Sequence, residues 1–211
     1  MFDNFGGFLM NMIIGLPGII IAMVVHEFAH ARVAYALGDF TPKLAGRLTL
    51  NPVAHIDPIG LVMLLVAHFG WAKPVQINPY NFQNPRRDDL LVSLAGPAAN
   101  LITAFVTMFF IMLLYKFGFE MSQGMYLVFS LIMIINVNFA IFNMIPFPPL
   151  DGFHVLQNIL PYEMARQLEG LERYSFIFLI IILMTPILGY IFVPMQRFIL
   201  GVFETILGIF L

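Results

Sequence analysis

Residues 22 to 32 read AMVVHEFAHAR, which puts three ionisable side chains, His26, Glu27 and His30, inside an otherwise apolar run. Ionisable groups at membrane depth are costly to keep and mark function by default. His26-Glu27-Phe28-Ala29-His30 is an H-E-x-x-H. On a helix, positions i and i+4 share a face, so both imidazoles can bind one zinc ion. Glu27 lies about 100° around the same helix, within reach of a water at that ion without being a ligand. Such a carboxylate suits general-base catalysis, taking a proton from water that the ion acidifies. The competing reading is a His/Glu cluster hydrogen-bonded inside a helical bundle. The motif together with its depth favours the metal.

The composition around this stretch is that of a polytopic membrane protein. The chain has 211 residues, 60% hydrophobic and 10% charged, with a mean hydropathy of +0.89. A soluble domain carries roughly 25% charged residues. A net charge of -2 without clustered basic residues excludes nucleic acid as a partner. The absence of cysteine excludes disulfides, thiolate zinc sites and cysteine nucleophiles. The 14 methionines and 23 phenylalanines read as lipid-facing or packing residues. Met1 to Gly7 carries Asp3 and no basic residue, so the run Phe8 to Val25 reads as a retained transmembrane helix rather than a secretory signal.

The expected fold is an all-α polytopic membrane protein of about five transmembrane helices, a single membrane-embedded domain over residues 1–211. The first span runs from about residue 8 to Leu37, where Gly38-Asp39 is a stop signal. The second opens at Asn84-Pro85, an N-cap followed by proline at the first position, and runs to about Phe117. The third covers Gly124 to Ile145 and ends against Pro146, Pro148 and Pro149. A fourth runs from Tyr174 to Val193 and a short fifth from Arg197 to Leu211. The 13 residues Ile59 to Trp71 are short for a span and read as re-entrant or interfacial. In Lys43 to Leu50, the partly alternating Leu44, Leu48 and Leu50 suggest a small β-element, with an irregular loop as the alternative.

Charge placement supports the non-spanning reading of Ile59 to Trp71. With it, eight of the ten basic residues fall on one side, leaving Lys116 and Arg197 on the other. This positive-inside pattern puts the N-terminus outside. His26 and His30 then lie toward the inner end of the first span. A catalytic zinc site needs a third protein ligand and an open position. The candidates are His55, Asp57, His68, Asp151 and His154. The third span, two crossings after the first, also ends inside and brings Asp151 to a similar depth. Its proline-broken backbone should line a protein cavity.

HEFAH on a long first helix, GPAAN at 96–100 and NMIPFPPLDG at 143–152 resemble the site-2 protease family of intramembrane zinc metalloproteases. NPVAHIDPIG and GWAKPVQINP further resemble the short bacterial members without PDZ or CBS domains. The resemblance covers most of residues 15–155. It implies one Zn2+ per chain held by His26, His30 and Asp151, with Glu27 as catalytic base. It also implies cleavage of a transmembrane protein or peptide substrate, within or beside its membrane segment, in the bacterial cytoplasmic membrane near the cytoplasmic side. Phe153-His154 departs from the small residue and Arg that often follow LDG in relatives, and leaves the role of His154 open.

Asn100 has two readings, a hydrogen bond to the substrate carbonyl or developing oxyanion, and an interhelical hydrogen bond. Asn136 and Asn143, seven apart, share a helix face. Asn143 is expected to orient the substrate or a ligand, and Asn136 to join helices. His55 is a candidate for substrate binding or an extra resting ligand, against a hydrogen-bonded loop histidine. Asp57, before Pro58, reads as a turn residue and His68 as structural. The Lys43 to Leu50 stretch could pair with an unwound substrate by strand addition. Two other function classes compete. A metal transporter would show inverted repeats and polar residues continuing along a pathway. An inactive membrane-protein-binding homologue would not need an intact H-E-x-x-H.

Overall fold

The computed structural model describes residues 2–60, 63, 71–175, 177, 179, 181 and 187–210. Helix α1 is Phe2–Ala36, α2 Thr41–Leu44, α3 Pro85–Lys116, α4 Gln123–Asn143, α5 Asp151–Ile159, α6 Tyr162–Glu169 and α7 Ile187–Phe210. Among the described residues, four helices are long and apolar enough to cross a membrane, in α1, α3, α4 and α7. The all-α polytopic architecture is therefore the one found. Most of Ile59 to Trp71, including His68, lies outside the described residues, as does part of the expected fourth span.

Two expectations change. Lys43 to Leu50 forms no strand. Pro42 sits in the first turn of α2, Gly46 has φ of +69°, and the Arg47 N–H returns to the Pro42 carbonyl at 2.8 Å. That local ring of hydrogen bonds outcompetes the weak alternation of leucines. Among the described residues the β-pairing is an isolated antiparallel bridge, Ile56 with Ala72. The division between a fourth span ending at Val193 and a fifth starting at Arg197 also fails, because α7 runs through Pro194 without interruption. Proline is tolerated in membrane helices, and Pro17 and Pro97 lie inside α1 and α3 in the same way.

The chain forms two compact units. The first comprises Met1–Ala22, Asn100–Phe142 and Thr185–Leu211. Its core joins Ala104 of α3 to Val137 and Ile141 of α4, with Phe192, Ile199, Leu200 and Phe203 of α7 packed on them. Close approach of α1 and α4 depends on Gly18. A Cβ there would lie 2.8 Å from Ile135 Cδ1 and 3.3 Å from Ile132 Cα, so small residues set the spacing as in other membrane helix pairs.

The second unit comprises Met23–Ala99 and Asn143–Met184. Ala34, Phe82 and Val92 form its core, joined by Val33, Leu37 and Ile77. Helix α1 stops at Gly38, whose φ of +106° suits glycine. Helix α3 starts at Pro85, and the Asp88 carboxylate reaches back to the Asn84 N–H at 3.0 Å.

Asp39 ties this unit together. Its carboxylate is fully enclosed. It accepts from the Thr41 hydroxyl at 2.6 Å and N–H at 3.0 Å, the Asn78 N–H at 2.8 Å and the Asn81 amide at 2.7 Å. Burial alone would raise its pKa, but these donors outweigh burial and hold it below the usual value of 3.8. A depressed carboxylate pKa stabilises the fold above the unfolded value, and the contribution is lost as pH falls through the folded one. Asp39→Ala is expected to cost about 1–3 kcal/mol by leaving buried donors unpaired. Thermal unfolding at pH 7 should show this loss, and the gap from wild type should narrow below about pH 4.

Candidate metal centre and active site

His26 and His30 face the same direction one turn apart on α1 because the helix continues unbroken through the motif. Asp151 comes from the first turn of α5. The helix before it ends at Asn143, and the proline-rich 146–149 stretch turns the chain. Gly152 keeps that turn tight, since a Cβ there would lie 2.5 Å from the Met144 carbonyl carbon and 2.6 Å from the Ile145 oxygen. Asp151 Oδ2 lies 3.0 Å from His26 Nε2 and 3.3 Å from His30 Nε2. The two Nε2 atoms are 3.0 Å apart. Among the described residues, these three make the one group of His, Cys, Asp or Glu side chains arranged to hold a metal ion.

The donor set itself tests whether a cation fits. His30 Nδ1 lies 2.7 Å from the Val92 carbonyl, which only accepts, so Nδ1 carries the proton and Nε2 presents a lone pair. Asp151 Oδ2 is buried without a hydrogen-bond partner among the described residues. Lone pairs thus converge in a buried space, an arrangement that a cation relieves. Two ligands at zinc distances in a tetrahedral shell sit about 3.3 Å apart, close to the separations seen. The residues fit zinc.

Glu27 is half-buried beside them and accepts the Val75 N–H at 2.9 Å. Val75 belongs to the segment Lys73 to Asn78, which has no regular secondary structure. A cavity of about 350 Å³ is lined by His26, Glu27, His30, Asn143, Asp151 and His154, with Val75, Ser93 and Asp89 among the other walls. Gly96 of α3 closes on the imidazoles. A Cβ there would come within 2.5 Å of His30 Nε2 and 2.6 Å of His26 Cε1. Glycine is required at that position by the space the two histidines occupy.

The remaining candidates fall elsewhere. Asn100 is fully buried and donates to the Ala22 carbonyl at 2.8 Å and to Asn136 Oδ1 at 3.0 Å. Asn136 in turn donates to the Ile132 carbonyl at 2.8 Å. Both asparagines therefore join helices in the first unit, and Asn100 is not among the residues lining the cavity. His55 is enclosed in its loop, with Nε2 2.8 Å from the Thr49 carbonyl, and is not in the metal-binding group. Asp57 caps a helical turn, accepting the Ile59 and Gly60 N–H groups at 2.8 and 3.1 Å. The Val75 amide and Val92 carbonyl were not visible in the sequence, because any residue supplies those groups.

Comparison with known proteins follows the same line. The chain is 41% identical over 181 residues, 84% of its length, to YwhC of Bacillus subtilis, covering 83% of that protein. The chain belongs to peptidase family M50. The family profile itself matches residues 113–185. Rip2 of Mycolicibacterium smegmatis is 30% identical over 181 residues, covering 84% of this chain and 69% of Rip2. Both relatives are named "putative zinc metalloprotease". MJ0611 of Methanocaldococcus jannaschii is 29% identical over 156 residues, 74% of each chain. No solved structure gives a significant match. Membership of M50 agrees with the resemblance to site-2 proteases that the motifs carry.

Proposed function

We propose that this chain is an intramembrane zinc endopeptidase that hydrolyses peptide bonds within or next to transmembrane segments of membrane proteins. Its class, a zinc metalloprotease, follows from the M50 family. The observation that carries the finer reading is the convergence of His26, His30 and Asp151 on one buried point, with Glu27 beside it, in a chain of membrane-spanning helices. In this reading the whole chain acts as one membrane-embedded domain, with its N-terminus outside and the site toward the cytoplasmic face of a bacterial membrane. The excess of basic residues in and around the loops between α1 and α3 and after α4 supports that orientation.

Zinc held by His26, His30 and Asp151 would supply Lewis acidity, acidifying water and polarising the scissile carbonyl. The chain's own residues do the rest. His30 keeps its Nε2 lone pair on the site because Val92 fixes its Nδ1 proton. Glu27 takes the proton from the attacking water and returns it to the departing amine. The Val75 N–H holds the Glu27 carboxylate in one rotamer, ready for that transfer. Asn143, on the cavity wall, is placed to hold the substrate backbone. His154 shares that wall and offers a second polar contact.

The reading predicts where the cut falls. A single-span peptide reconstituted with the enzyme in liposomes should be cleaved at a bond inside, or within a few residues of, its apolar segment. Mass spectrometry of the products locates it. Cleavage confined to distant soluble flanks would contradict the intramembrane assignment. Metal transport is the weaker alternative, because the ligating side chains cluster at one point and, among the described residues, no further group of ligands continues them.

A further inference from the structure

The loop region between α1 and α3 holds a second polar cavity that hydrolysis does not use. It measures about 330 Å³, and its walls include Gly46, Arg47, Val53, Ala54, Lys73 and Gln76. Arg47 is 6% exposed. Its Nη1 donates to the Ala54 carbonyl and, at 3.3 Å, to that of Lys73. Those bonds fix the guanidinium but leave its charge uncompensated, since the ion pairs among the described residues involve only His26, His30 and Asp151. Nε and Nη2 hydrogen-bond to no described residue. A buried cation without an anion is expensive. Lys73 adds a second positive charge at the same cavity, and Gln76 adds an amide. Asp57, whose carboxylate feels Lys73, already accepts the Gly60 and Ile59 N–H groups.

Val53 on the cavity wall, and Leu44 and Leu50 in the same stretch of chain, expose apolar surface. Leu44 is 86% exposed, Val53 75% and Leu50 58%. The chain enters this region from one candidate membrane span at Ala36 and leaves it into another at Pro85, which anchors both of its ends at the bilayer surface. Exposed leucine and valine beside cations match the layer where acyl chains meet headgroups. We propose that the Arg47–Lys73–Gln76 cavity seats the phosphate of an anionic phospholipid headgroup, with Leu44, Leu50 and Val53 resting in the interfacial layer. Arg47 meets the phosphate through the Nε–Nη2 edge of its fork, and Lys73 supplies a mobile second charge. The site binds lipid independently of peptide hydrolysis.

The test uses the full chain purified in neutral detergent, with retained lipid counted by native mass spectrometry. Phosphatidylglycerol should be retained over phosphatidylcholine at one per chain. Lys73→Gln should weaken retention about fivefold, the loss of one surface cation. Arg47→Lys should weaken it too, since an ammonium cannot reproduce the fork. Equal retention of the two lipids by wild type, or unchanged selectivity in Lys73→Gln, would overturn the proposal. Lys73 is exposed and makes no side-chain hydrogen bond to a described residue, so that variant keeps the fold intact. Millimolar inorganic phosphate is the second arm. If it stabilises wild type against heat as well as phosphatidylglycerol does, the occupant is a free anion and the lipid assignment falls.

Discussion

Glu27→Gln should lower the rate of peptide hydrolysis by about 10²–10⁴-fold while the chain keeps its full zinc content. The substitution separates two jobs that the carboxylate performs. A glutamine oxygen still accepts the Val75 N–H, so the contact that orients the side chain survives. What disappears is the ability to take a proton from water. The zinc ligands are untouched, because Glu27 is not in the His26–His30–Asp151 group. Initial rates on a reconstituted transmembrane substrate, with zinc measured on the same preparation, give both readouts. A wild-type rate would remove Glu27 as the base. Loss of zinc with the activity would make it a structural residue instead.

Gly96→Ala should weaken zinc binding by about 10–100-fold, the range seen when groups supporting metal ligands are disturbed. The added Cβ would lie 2.5 Å from His30 Nε2 and 2.7 Å from His26 Nδ1, far inside contact distance. Neither ring has room to retreat, since both are buried and His30 is tied to the Val92 carbonyl. Relief must come from rotating an imidazole or moving α3, at about 1–3 kcal/mol of overpacking. Zinc affinity by competition with a chelator reads the first effect and thermal unfolding the second. Unchanged affinity would mean that the two helices adjust freely at this contact.

Much of the site was legible because its signals are local. The i, i+4 histidines need only a helix, and Asp151 follows a proline cluster that stops α4 where ligands can converge. The target of the glycine in GPAAN, the imidazole pair, has no local signature in the sequence. Long-range pairings were illegible. Val75 reaches Glu27 across 48 residues through a backbone N–H that carries no sequence signature. Asn100 could equally have served substrate or neighbour, and only its partners Ala22 and Asn136 show what it bonds in the folded chain. The expected break between Val193 and Arg197 is absent, because a membrane helix absorbs a proline, here Pro194, that would end a soluble one. The leucine alternation at 44, 48 and 50 was too short to outweigh Pro42 and Gly46.

Zinc stoichiometry of the purified full-length chain and of His26→Ala, His30→Ala and Asp151→Ala tests the central assignment most directly. Wild type should carry one zinc per chain, and each variant should fall well below one at matched folding. Asp151→Ala decides most, because the ligand role of Asp151 rests on geometry between two separate helices. Full zinc retention in Asp151→Ala, with a native unfolding transition, would contradict the proposed ligand set.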